Sequence, residues 1–164
     1  MNALSRLPSR SEIAEVVESV MVTLLSGSST PESDGLADGP GPSEAWMGAV
    51  TVSGPFDGLI VLRGSRAFAQ RLFRQLVRPK GGVSDDEARD LFGELTNVLG
   101  GNIKALFSAS LDATCQLSLP VVTADPPSVH GKQLLDSWFV VGGDRVQLSV
   151  FDTGRNDGPG RGGP

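Results

Sequence analysis

The chain has 164 residues and 17.1 kDa, the usual span of one domain and short of two. A formal charge of −5 and an isoelectric point near 4.8 exclude the basic surface a nucleic-acid binder needs for counterion release, so no nucleic acid is expected as a partner. One cysteine forbids an internal disulfide and, with a single histidine, cannot complete a structural zinc shell; the chain reads as cytoplasmic, with no metal of its own.

From the N-terminus, Arg6 and Arg10 stand without the apolar stretch of a secretion signal, and the apolar run Val16 to Leu25 is broken by Glu18, so neither export nor a membrane span is expected. Ile13, Val16, Val17, Val20 and Leu24 line one helical stripe, opened by Ser9 and Glu12 in capping-box spacing and closed at Ser26-Gly27. Residues 26–43, rich in Gly, Pro, Ser and acidic groups, read as a flexible connector inside a domain spanning 9–152. Ala45 to Ser53 and Phe56 to Arg63 read as a hairpin about Gly54-Pro55 and Asp57-Gly58. The unbroken Leu59-Ile60-Val61-Leu62 run marks its second strand as central. Ser65 can cap a short helix with Phe68, Leu72 and Leu76 on its sheet-facing side, ended by Arg78-Pro79 and Gly81-Gly82.

The third helix carries the most information. Ser84 and Glu87 form a second capping box, Asp85 and Asp86 suit the positive end of the helix dipole, and the helix is predicted to reach about Phe107. At about 100° per residue, Ala88, Leu91, Phe92, Leu95, Leu99 and Leu106 form the stripe to be buried. Asp90, Glu94, Asn97, Gly101 and Lys104 share the opposite line, predicted to face solvent. A helix needing only solubility would put Lys, Arg and Glu there; Asn97 and the pair Gly100-Gly101 cost propensity, about 1 kcal/mol for each glycine against alanine, and point to another selection.

Beyond it, Cys115, Leu117 and Leu119 alternate with polar neighbours as one half-buried strand ending at Pro120, with Cys115 a packing residue rather than a reactive thiol. Trp138 to Val141 and Val146 to Val150, about Gly142-Gly143-Asp144, read as a second hairpin. His130 falls in a loop as ordinary surface, and residues 153–164 read as a disordered tail. The elements give an α+β domain, a mostly antiparallel sheet with helices packed on it and one long signature helix.

The string Asp90-Leu-Phe-Gly-Glu94-Leu-Thr-Asn97-Val-Leu-Gly-Gly101-Asn102 resembles the signature helix of the CheX, CheC and FliY family of chemotaxis phosphatases. That family's pattern is Asp or Ser, three residues, Glu, two residues, Asn, then 22 residues and Pro; Asn97 is followed by 22 residues and Pro120. The likeness is to CheX in particular, because only one such helix is present: Ile13 to Leu25 offers Glu15 and Glu18 but no matching Asn. The resemblance implies a phosphatase for the aspartyl phosphate of a CheY-like receiver. By position, the resemblance gives Glu94 the role of pairing with the receiver's active-site lysine and Asn97 that of orienting the attacking water. Asp90, Gly101 and Lys104 are expected to meet the partner, and Gly100 with Gly101 to let its loops approach closely. It also implies no cofactor on this chain, Mg²⁺ on the phosphorylated receiver, and a homodimer that leaves the signature helix open. A non-catalytic CheX-like adaptor that binds a receiver or self-associates is the alternative from another functional class.

Overall fold

Ser9 begins the first helix by the reciprocal bonding its spacing predicts: the Glu12 N–H donates to Ser9 Oγ at 3.2 Å and the Ser9 N–H donates to Glu12 Oε2 at 2.7 Å. The computed structural model describes residues 6–25, 30–32, 45–125 and 128–154. In chain order its elements are α1 (Arg10–Leu25), β1 (Thr30–Glu32), β2 (Ala45–Ser53), β3 (Gly58–Ser65), α2 (Arg66–Val77), α3 (Asp85–Leu111), β4 (Gln116–Leu117), β5 (Val121–Thr123), β6 (Lys132–Val141) and β7 (Asp144–Asp152).

The strands form one antiparallel sheet in the order β1-β6-β7-β3-β2-β4, with β5 also paired to β2. As the unbroken apolar run requires, β3 is interior to the sheet, between β7 and β2. Ile60, Leu62, Val50, Val52, Val146, Leu148 and Val150 alternate onto one face. They share a single core with Ile13, Val17 and Met21 of α1, Phe68 and Leu72 of α2, and the buried side of α3, so the three helices cover the same face. Phe56 stacks on Phe107 at 4.1 Å between centroids, while Phe92 meets Trp46 and Phe68 edge-on at 6.3 and 6.5 Å. The opposite face is mixed: Asp136 accepts from Gln147 at 2.7 Å and from Ser149 at 3.2 Å, and Arg145 lies over the Trp138 ring at 4.7 Å.

Several expectations need correction. Leu76 is 46% exposed, because the last turn of α2 runs out past its neighbours before ending at Arg78, left-handed at φ 52 with its N–H on the Arg74 carbonyl. On α1, Met21 joins the buried line, while Val16, Val20 and Leu24 sit at its border. The strand predicted from Cys115 to Leu119 shrinks to β4; Cys115 is buried as expected, but Leu119 points out, and β5 resumes the pairing beyond Pro120. The second hairpin begins at Lys132, and its turn glycines, Gly142 and Gly143, have φ of 57 and 85, the left-handed values of a tight hairpin turn. Within the predicted connector 26–43, residues 30–32 pair with β6 as β1; residues 26–29 and 33–44, like 155–164 of the predicted tail, lie outside the described residues.

The largest correction concerns α3. It runs to Leu111 rather than about Phe107, and its buried arc is wider and rotated from the predicted stripe. Gly93, Thr96, Gly100, Ile103 and Phe107 join Ala88, Phe92, Leu95 and Leu99 inside, while Leu91 and Leu106 are only half-buried. The cause is that α3 packs against α1 and α2 as well as against the sheet, so more than one of its faces is covered. A Cβ on Gly48 would run into Thr96, and one on Gly100 would stand 2.5 Å from Val50 Cγ2, so both glycines set the distance of closest approach between α3 and β2. Thr96 is fully buried with its hydroxyl donating to the Phe92 carbonyl at 2.8 Å, so no polar group is stranded there.

Gly100→Ala should therefore destabilise the fold by about 1–3 kcal/mol despite its better helix propensity. Gly101→Ala, where nothing lies within 4 Å of an added Cβ, should stabilise it by up to about 1 kcal/mol; denaturant unfolding of the two variants checks the contrast. The Arg6 guanidinium, donating to both oxygens of Glu12 at 2.9 Å, and then the Ser9 bonds hold the Glu12 carboxyl down at about 2. The depressed value means this contribution to stability is present above the ordinary carboxylate range and fades as pH falls toward about 2. A carboxyl-carbon NMR titration should place the Glu12 midpoint near about 2, and Glu12→Gln should remove that part of the acid dependence.

Candidate functional site

The predicted site residues all lie on α3, and its seating decides what they face. The helix opens on Ser84, whose Oγ accepts from the Glu87 N–H at 3.2 Å, while Glu87 Oε2 accepts from the Ser84 N–H and from the Ser84 hydroxyl, each at 3.0 Å, and these last two bonds hold its carboxyl below the usual carboxylate range. Asp85 accepts from Arg66 Nε at 2.7 Å and thereby ties the start of α3 to the start of α2. Two turns in, Asp90 and Glu94 emerge exposed.

Glu94 and Asp90 share a shallow groove of about 400 Å³ with Arg89, Gly93, Pro120 and Val122. Its far wall is the segment that returns from α3 along the edge of the sheet. Gly93 faces that wall: a Cβ there would lie 3.4 Å from Val122 and 3.9 Å from Pro120, ordinary contact distances. Arg89, which composition gave no reason to single out, is held with its guanidinium 5.6 Å from the centroid of the Trp46 ring and adds a positive charge beside the two carboxylates. The apolar wall at Val122 was likewise missed, since β5 itself was not predicted.

Asn97 follows Glu94 by three residues on the outward line and is half-buried rather than fully exposed. Its carboxamide forms no hydrogen bond with another described residue, whereas the carboxamide of Asn102 is spent on its own helix, donating to the Val98 carbonyl at 2.8 Å. Gly101 comes one turn later with open space over its Cα, and Lys104 is half-buried a further turn on; neither lines the groove. Gly100 departs from expectation outright: it is buried against Val50 and packs the helix rather than receiving a partner. The structure thus brings Asp90, Glu94 and Pro120 together and strings Asn97, Gly101 and Lys104 along the same outward side of α3.

No cluster of three or more His, Cys, Asp or Glu side chains is placed to hold a metal ion among the described residues, and no described helix is long and apolar enough to cross a membrane. A helix displaying an acid and an amide beside a shallow groove presents an open surface rather than an enclosed pocket.

Residues 46–133 match the family model of the chemotaxis phosphatase CheX, which is more than half of the chain, and the chain belongs to that family. Its fold is similar to that of the chemotaxis protein CheX from Vibrio vulnificus, with a TM-score of 0.66 at 16% identity over 85% of this chain and 92% of that one. It is also similar to a chain of the CheX–CheY–BeF3–Mg²⁺ complex from Borrelia burgdorferi, with a TM-score of 0.69 at 13% identity over 89% and 98%. FliY from Thermotoga maritima gives a TM-score of 0.53 at 14% identity over 93% and 91%. No curated protein matches the chain.

Proposed function

We propose that this protein removes the phosphoryl group from the aspartyl phosphate of a CheY-like receiver, acting in the cytoplasm on a partner that brings its own Mg²⁺. The observation that carries this reading is the Asn97 carboxamide, unbonded to any described residue and one turn past Glu94 on a helix whose other outward Asn is tied back. The family supports it, and the Borrelia burgdorferi CheX was solved together with CheY, BeF3 and Mg²⁺.

An acyl phosphate is already activated, so the chain need supply no strong base and no nucleophile of its own. Glu94 pairs with the receiver's active-site lysine and sets the register of docking. Asn97 enters beside the phosphoryl group, where one amide can accept from and donate to a water at once and hold it in line. The water oxygen forms the new bond to phosphorus as the bond from phosphorus to the aspartyl oxygen breaks. The carboxylate leaves, and the water's protons pass to phosphate and solvent, so the amide ends unchanged. A single well-placed polar group of this kind lowers the barrier by about 3 kcal/mol, roughly a hundredfold in rate. The ion pair at Glu94 contributes about 0 to 1 kcal/mol while exposed and more once docking excludes water. Asp90 and Lys104 extend the polar line the receiver would cover, and Gly101 leaves it room.

Asn97→Ala should lower phosphate release at least tenfold at saturating receiver with little change in stability, whereas Glu94→Ala should act mainly by raising the half-saturating receiver concentration. Single-turnover assays with a phosphorylated receiver check both, and unchanged turnover in Asn97→Ala would sink the mechanism. We also assign the chain to a homodimer assembled through a sheet edge or the helix-free sheet face, leaving α3 open. Its mass in solution should be about twice 17.1 kDa, and Gly101→Trp should block receiver engagement without dissociating it.

A further inference from the structure

Leu119 is 86% exposed, on the short link between β4 and β5. A single apolar side chain at a surface is ordinary, and two observations take this one out of that class. The first is that the link is pinned rather than loose. The Ser118 N–H donates to the Thr51 carbonyl at 2.9 Å, the Thr51 N–H donates to Ser118 Oγ at 2.9 Å, and Ser118 Oγ in turn donates to the Leu119 carbonyl at 3.1 Å. Ser118 thus takes both ladder bonds of Thr51, one through its side chain, and the backbone that follows turns away from the inward alternation that Cys115 begins. Leu119 is held outward by this bonding.

The second observation is its place. Its neighbour Pro120 forms the wall of the groove that holds Asp90 and Glu94. One turn beyond Glu94, Val98 is the large apolar residue of α3 left 37% exposed. Apolar side chains are thus turned to solvent both on the site helix and on the segment that returns beside it. Val121 is exposed too, at 63%, but pairs with Ala49 and so belongs to the other face of the sheet, away from the groove.

We propose that Leu119 is a docking contact for the receiver, an apolar side chain that packs against an apolar patch beside the receiver's active site and closes one flank of the Glu94–Asn97 line against water. This rests on the receiver reading above. Consecutive Cα atoms lie about 3.8 Å apart, so the exposed Leu119 stands at the edge of the wall that a body seated on Glu94 would meet. Covering it lowers the local dielectric around the Glu94 ion pair and strengthens that pair. Burial of this kind serves ground and transition states alike, so it sets affinity and partner choice rather than the chemical step.

The test uses the full chain and the CheY-type receiver of the same genome, loaded with BeF3 and Mg²⁺ for binding and phosphorylated for turnover. Leu119→Ala should weaken binding about tenfold while leaving turnover at saturation and thermal stability unchanged, and Val121→Ala, a comparable apolar truncation on the other face, should change none of them. If Leu119→Ala binds as tightly as the parent while Glu94→Ala weakens binding, the inference is overturned and the receiver reading stands. If the parent chain binds no receiver, both fall. If Leu119→Ala lowers the mass in solution instead, the side chain belongs to a contact between two copies and the inference is overturned.

Discussion

The contact on which the rest of the molecule depends is the one between α3 and β2, where Thr96 lies over Gly48 and Gly100 over Val50. A helix resting on a sheet is free to roll unless something keys it. Here two glycines, one on each element, let the surfaces approach until Thr96 and Val50 interlock, so the rotation of α3 about its axis is fixed. Once it is fixed, the outward line is fixed, and Asp90, Glu94, Asn97, Gly101 and Lys104 face away from the sheet. Glycine lowers helix propensity by about 1 kcal/mol at each position, and α3 carries Gly93, Gly100 and Gly101. The complete capping box, the 27-residue length and the burial of Phe92, Ile103 and Phe107 offset that cost.

Much of this was legible in the sequence, for identifiable reasons. The starts of all three helices are written in Ser9, Ser65 and Ser84, each of which caps as its spacing requires. The first hairpin and the interior place of β3 follow from an alternating run and an unbroken one. What failed shares a cause. Hydropathy gives no weight to a glycine or a threonine, so the stripe drawn from it left out Gly100 and Thr96, although both are buried. Period alone also could not show that Ser118 bonds Thr51 through its side chain, which is why Leu119 was assigned inward and β5 was not foreseen. A three-residue edge strand such as β1 is held by its register with β6 and has almost no local signal.

The candidate site was legible as a set of residues but not as a shape, and the long gap to Pro120 shows the difference. From Gly93 to Leu111 the helix descends roughly 25 Å at about 1.5 Å per residue. After Asp112 reverses the chain in the left-handed conformation, at φ 50, the extended return climbs about 3.3 Å per residue and covers the same distance by Pro120. A spacing that reads in sequence as an arbitrary gap is thus the length needed to bring a proline back beside the glycine between Asp90 and Glu94. Any insertion in the return would slide that wall past its helix.

The same geometry bears on how the proposed site, without a deep pocket, would act on a phosphoryl group. The groove at Glu94 is shallow and open, so enclosure of the reacting atoms must come from the partner, and what this chain can contribute is placement. Glu94 and Asn97 stand three residues apart on one helix, neighbours on its surface at about 5–6 Å between Cβ atoms, so the contact that registers the acid also positions the amide. That coupling holds only if the helix does not roll or bend, since a displacement of about 1 Å can cost a hundredfold in rate. A loop could carry the same two side chains but not the fixed relation between them. The glycine contacts beneath α3, which leave the buried Thr96 hydroxyl bonded within its own helix, are therefore as much a part of the proposed mechanism as the amide above them.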